Sequence, residues 1–210
     1  RRAAGTSLTA VIFPAAAGVI TYVAHDHINW PATGLLVAGS VVGAQIGTYL
    51  LTRLPVKTVR WAFVGFLLIS AVGLVFVVPS RDAAIDITAL TGAGLVAIGF
   101  GAGILAGLVG VGGGVILVPS MIVGFGIPDL VAKGTSLAVI IPTSVSGTIA
   151  NLRRKNVDLK AALILGVAAC VTSPLGVLSA VAIPARTGNY LFAAFQLFMA
   201  VRTTRQLLQS

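Results

Sequence analysis

The chain has 210 residues, is 57% hydrophobic and only 9% charged, and contains no glutamate. A soluble domain runs at about 45–50% apolar and about 25% charged, so this composition, with a mean hydropathy of +1.04, excludes a water-soluble fold and indicates an all-α polytopic membrane protein. A net charge of +9 would suggest nucleic acid in a soluble protein, but here the Lys and Arg residues lie between apolar stretches, where membrane topology calls for them, and no nucleic-acid partner is expected.

Apolar length between charges divides the chain into eight segments: Gly5–Ala24, Trp30–Leu54, Thr58–Val78, Ile87–Val109, Val115–Ile127, Gly134–Leu152, Ala161–Ile183 and Gly188 to about Gln206. Most are long enough to cross a hydrocarbon core of about 30 Å. Val115–Ile127, at 1.5 Å per residue, reaches only about 20 Å, so irregular backbone within membrane depth is expected at Gly110–Gly114 or at Gly126–Lys133. Cys170 lies alone in an apolar span, which leaves no disulfide framework or metal set, and no cofactor is expected. The chain has no initiator Met, and Arg1-Arg2 runs at once into an apolar segment; no signal peptide is expected, and the chain reads as truncated.

The sequence matches itself without gaps at an offset of 129. Gly5-Thr6-Ser7-Leu8 falls on Gly134-Thr135-Ser136-Leu137, Gly18 on Gly147, Gly47 on Gly176, Pro55 on Pro184, and Phe63 and Phe66 on Phe192 and Phe195. About 18 of 68 aligned positions are identical, and the Gly, Pro and Thr-Ser matches are not what apolar composition alone produces. Residues 1–80 then form the C-terminal part of a first membrane repeat and 87–208 a second, within one transmembrane domain. The counterpart of residues 88–133, including a first glycine break, is expected before Arg1. If every segment crosses, the second repeat is inverted, and the Lys and Arg residues divide eleven to three between the two sides, whereas parallel repeats would divide them seven to seven. The positive-inside rule prefers the inverted arrangement, the architecture of secondary transporters.

The glycine run Gly110-Val-Gly112-Gly113-Gly114 cannot be routine helix interior, since each Gly costs about 1 kcal/mol relative to Ala. Two readings stand: close helix packing, or exposed backbone N–H groups at the start of the Val115–Ile127 helix, which form an anion site without a charged side chain. Gly39, Gly43 and Gly47, Gly99, Gly103 and Gly107, and their counterparts Ala168, Thr172 and Gly176 have small-residue spacing and read as helix-contact faces. Gly134-Thr135-Ser136 is expected to open a helix after Pro128, as Gly5-Thr6-Ser7 does in the other half; the hydroxyls are either ordinary caps or oxyanion ligands. Pro119 and Pro142 each free a carbonyl within a span. His25-Asp26-His27 falls in a loop expected outside and reads as solvated. No ionisable residue occupies the middle of a span, which argues against an intramembrane enzyme.

AGLVGVGGGVILVPSM (106–121), followed by KGTSLAVIIPTSVSG (133–147) and NLRRKNVDLKAALILG (151–166), resembles the TauE/SafE, sulfite-exporter-like family of membrane permeases. The resemblance implies a multi-pass transporter of the bacterial inner membrane for sulfite, sulfonates or related organosulfur anions. The expected substrate-binding set is Gly112, Gly113, Gly114 and Pro119, with Gly134, Thr135 and Ser136 and, from the other half, Thr6 and Ser7. The expected partners are the small anion and membrane lipid. A homo-oligomer stays open, as does the alternative of a non-transporting scaffold that binds partner helices through its small-residue faces. The charge division predicts that Arg53–Arg60 and Arg153–Lys155 face the cytoplasm while His25–His27 and Arg186 face outward. Single-cysteine labelling in a Cys170→Ser background checks this: a periplasmic reagent should reach position 26 and not position 154.

Overall fold

The computed structural model describes residues 2–77 and 88–208; the expected span ends at Val78 and Ile87, the boundary between the two halves, and Arg81, one of the three Lys and Arg residues that the charge division sets on the outer side, lie outside them. The described residues form nine helices: α1 (Arg2–Ala10), α2 (Ile12–Val23), α3 (Trp30–Arg53), α4 (Val56–Phe76), α5 (Ala89–Val109), α6 (Gly114–Phe125), α7 (Asp129–Arg153), α8 (Leu159–Ala182) and α9 (Ala185–Leu208). Six stretches are long and apolar enough to cross a membrane: Arg2–Val23, Trp30–Arg53, Lys57–Phe76, Ala89–Val109, Asp129–Arg153 and Leu159–Ala182. The chain is thus an all-α, multi-pass membrane protein. α9 has 24 residues but falls short in apolarity, because Asn189, Gln196, Arg202 and Arg205 dilute it.

Local chemistry sets the ends. Asn29 caps α3 by accepting from the Ala32 N–H at 2.9 Å, and Asp158 caps α8 by accepting from the Ala161 N–H at 3.1 Å; such a cap contributes about 1 kcal/mol. Both helices have 24 residues and stop two residues before a proline, Pro55 or Pro184, which forces the intervening residue, Leu54 or Ile183, into extended backbone. The expected Gly5–Ala24 span is divided into α1 and α2 at Val11, because Pro14 has no N–H for the Ala10 carbonyl.

One sequence expectation is corrected here. Gly134-Thr135-Ser136 does not open a helix: α7 starts five residues earlier, with Pro128 as N-cap and Asp129 in the first turn, where its charge complements the helix dipole. Gly5-Thr6-Ser7 likewise lies inside α1. Both tripeptides clamp a loop. The Thr6 hydroxyl oxygen accepts from the Asp158 N–H at 2.9 Å, and that of Thr135 accepts from the Asn29 N–H at 3.0 Å. A Cβ at Gly5 would collide with the Asn156 carbonyl oxygen, and one at Gly134 with that of His27. Gly18 faces Leu137, and Gly147 faces Leu8. Each pair is related to its counterpart by 129 positions, and the contacts run α1 and α2 antiparallel to α7.

α3 and α5 run parallel with their backbones touching. Gly39, Gly43 and Gly47 lie against the carbonyls of Val96, Phe100 and Ile104, while Gly99 and Gly103 lie against those of Leu36 and Ser40. The two glycine faces pack on each other, whereas Ala168, Thr172 and Gly176 of α8 are exposed among the described residues. Gly103→Leu is expected to destabilise the fold by about 3 kcal/mol or more, because rigid backbone meets the new side chain. Gly101→Leu, with open space at its Cβ position, should leave the unfolding midpoint in detergent unchanged.

Candidate functional site

α5 ends at Gly110, and the chain reverses through Gly112 and Gly113, all with φ between +77° and +85°. A side chain at any of the three would be strained, so the turn itself demands glycine. α6 then folds back along α5: Gly113 lies beside Ala102 and Ala106, Gly124 near Ile98, and the Phe125 ring against Gly94. Only 12 residues long, α6 is bounded by irregular backbone at both ends, Gly110–Gly113 and Gly126–Pro128. Gly112 meets Val11, at the α1–α2 break, and Ile140, near the middle of α7. The turn therefore sits at mid-depth of the helix bundle.

The first N–H groups of any helix have no intrahelical acceptor. At α6 the N-cap is Gly113, which has no side chain to cover them; its carbonyl accepts from Ile116 and Leu117 at 3.0 and 2.9 Å. Beside this turn stands a hydroxyl absent from the sequence-based set. Ser144 of α7 is 0% exposed, and its Oγ has no hydrogen-bond partner. That Oγ lies 3.7 Å from the point a Cβ on Gly112 would occupy. A buried, unsatisfied hydroxyl costs about 1–3 kcal/mol, so it marks a place where a ligand improves the hydrogen bonding.

A cleft of about 360 Å³ reaches the turn, lined by Gly114, Val115, Ser136, Ile140, Lys133 and Tyr22 among others. Lys133 is ion-paired with Asp129 one helical turn away at 3.1 Å, which balances its charge. The structure thus brings Gly112, Gly113, Gly114 and Ser136 to one region. Ser136 donates from Oγ to the Lys133 carbonyl at 2.7 Å. Gly134 and Thr135 sit in the contact with the α2–α3 loop, and Thr6 and Ser7 line a separate cavity between α1, α2 and α8. The His25 and His27 rings stack on each other at 6.3 Å in the α2–α3 loop.

Pro119 is buried inside α6 and acts on its backbone. It has no N–H for the Val115 carbonyl, which instead accepts from Gln196 Nε2 of α9 at 3.2 Å. The Ser70 hydroxyl of α4 donates to Gln196 Oε1 at 2.8 Å. One fully buried glutamine thereby ties three helices together around the first turn of α6. Sequence reasoning missed it, because α9 carries Asn189, Gln196 and Gln206 and the sequence does not say which of them meets a proline-freed carbonyl.

Taken together, these features define a polytopic helical membrane protein with a glycine-initiated half-helix at its centre. The sequence model of the family described as sulfite exporter TauE/SafE matches residues 1–77 and 95–209, and the chain belongs to that family. It is 27% identical over 179 residues to "Probable membrane transporter protein YunE" of Bacillus subtilis, covering 78% of this chain and 66% of the relative. It is 27% identical over 160 residues to "Probable membrane transporter protein YdhB" of the same organism, covering 74% and 65%. A third relative, "Probable membrane transporter protein MJ0441" of Methanocaldococcus jannaschii, is 38% identical over 84 residues, covering 38% and 32%. The chain spans less than two thirds of the length of these relatives. No solved structure matches it.

Gln196→Leu is expected to cost about 1–3 kcal/mol by leaving the Val115 carbonyl and the Ser70 hydroxyl unpaired. Adding Pro119→Ala, which returns an N–H to Val115, should recover part of the loss in a thermal-unfolding double-mutant cycle.

Proposed function

We propose that the protein is a permease for a small oxyanion, sulfite, a sulfonate or a related organosulfur anion, in the bacterial inner membrane. The observation that carries this reading is the α6 N-terminus at mid-depth, with no side-chain cap from its N-cap glycine and the unpartnered Ser144 hydroxyl beside the turn. A tetrahedral or pyramidal anion takes several such donors at once, and the positive end of the helix dipole adds to them. Neutral donors suit a carrier, which must release what it binds. The cleft past Ser136 supplies an approach, and the Lys133–Asp129 pair at its wall attracts an anion less strongly than an unpaired lysine would. The family description and the relatives' names support transport and leave the cargo open; sulfur chemistry is the narrower part of the proposal. The contacts matched across 129 positions support two inverted repeats with the substrate held where they meet.

Labelled sulfite and sulfonate uptake into vesicles carrying the full-length protein tests the site. Gly113→Leu should abolish flux while the protein stays inserted, because a left-handed position cannot hold leucine without moving the turn. Ser144→Ala should weaken substrate binding by about 1–3 kcal/mol, the cost of a lost polar partner. Flux of both anions unchanged in both variants rejects the assignment and leaves the glycines as packing residues.

A further inference from the structure

Two guanidinium groups converge on one aromatic ring at the ends of α3 and α7. The Arg53 Cζ lies 5.6 Å and the Arg154 Cζ 6.0 Å from the centroid of the Tyr49 ring. Such contacts draw on the negative face of the ring, but they leave both positive charges in place. Among the described residues neither guanidinium is ion-paired, and Nη1 of Arg154 is buried with no hydrogen-bond partner. The loop that carries Arg154 is anchored, since the Thr6 hydroxyl accepts from the Asp158 N–H and the Asn156 carbonyl abuts Gly5. Its acidic residue, Asp158, is engaged as the α8 cap. Away from the arginines, α3 and α7 run parallel, joined by the Ser40–Thr143 hydroxyl pair at 2.6 Å and by Gln45 Nε2 donating to Ser146 Oγ at 2.9 Å. Each presents an exposed apolar row leading to its arginine, Val42, Ile46 and Tyr49 on α3 and Val145, Ile149 and Leu152 on α7.

We propose that Arg53, Arg154 and Tyr49 bind the phosphate of an anionic phospholipid whose acyl chains lie along the exposed rows of α3 and α7. Two like charges beside one ring repel each other, and a phosphodiester bound by both offsets that repulsion while giving the Arg154 Nη1 an acceptor. The planar guanidinium fork matches a pair of phosphate oxygens, which a lysine would not. The surroundings favour a lipid over a soluble anion. Tyr49 is 49% exposed at the end of an apolar row, where a tyrosine marks the level of the headgroups, and the rows offer hydrocarbon contact that a free phosphate cannot use. The arrangement exists on one side only: the residues 129 positions after Tyr49 and Arg53 are Leu178 and Ala182, and the one 129 positions before Arg154 is His25. That side is the one the charge division assigns to the cytoplasm, where the membrane surface carries anionic lipid.

Brominated lipids, which quench tryptophan on contact, test the site in the protein carrying Tyr49→Trp, Trp30→Phe and Trp61→Phe. In vesicles of phosphatidylcholine and phosphatidylglycerol in equal parts, bromine on phosphatidylglycerol should quench the introduced tryptophan more than bromine on phosphatidylcholine, with a preference of about threefold or more. Arg53→Gln or Arg154→Gln should abolish the preference, while Arg153→Gln, which removes the same charge from an exposed neighbour, should keep it. Equal quenching by the two lipids overturns the proposal, and so does an equal loss in Arg153→Gln, which reduces it to diffuse attraction. Displacement by inorganic phosphate at matched ionic strength also overturns it, since the occupant is then a soluble anion. If the tryptophan variant does not fold, native mass spectrometry of the protein and its three arginine variants reads the same preference, as phosphatidylglycerol retained against phosphatidylcholine.

Discussion

In hydrocarbon no water is available to a backbone amide, so each interruption of a helix must be met by a group from elsewhere in the protein. The structure can be read as a set of answers to this demand. Where the chain leaves α2 for α3 and α7 for α8, a threonine from the opposite half accepts the cap residue's N–H, Thr135 for Asn29 and Thr6 for Asp158. Where Pro119 frees the Val115 carbonyl, Gln196 answers. At the glycine turn the N-cap residue offers no side-chain cap to α6, and the Ser144 hydroxyl beside Gly112 is itself unpaired. The start of α6 is thus an interruption that its own N-cap residue does not complete.

Helix positions were legible in the sequence because the hydrocarbon thickness imposes a length and prolines and charges mark the ends. The short helix was legible for the same reason, since Val115–Ile127 falls short of a span. The glycine run was legible as a place for irregular backbone because each glycine weakens a helix. The start of α7 was misread: Lys133 suggested a boundary, whereas Asp129 and Lys133 neutralise each other within the helix and let it begin at Pro128. Ser144 and Gln196 were invisible for a physical reason. A single hydroxyl or amide in an apolar span is tolerated in many contexts, and only its three-dimensional neighbours distinguish a satisfied group from one in waiting.

Glycine serves three separate ends in this molecule. Along α3 and α5 it removes side chains so that two backbones meet; at Gly5 and Gly134 it admits a carbonyl from a neighbouring loop; at Gly110, Gly112 and Gly113 it supplies a backbone conformation. A count of glycines or a spacing rule merges these roles. The first two depend on what lies opposite, and the third depends on φ alone, so only the third survives if a neighbouring helix is removed.

α6 is bounded at both ends by left-handed glycines, Gly113 and Gly126, with no side-chain cap at the first and open space around the second. Mechanically it is a rigid rod of 12 residues between two swivels. A change of φ at either glycine would re-aim the α6 N-terminus while the glycine contacts of α5 with α3 and the Thr135 clamp on α7 stayed in place. The Gln196 bridge to the Val115 carbonyl would then act as a tether, so the residues that build this helix end would also limit how far it could swing.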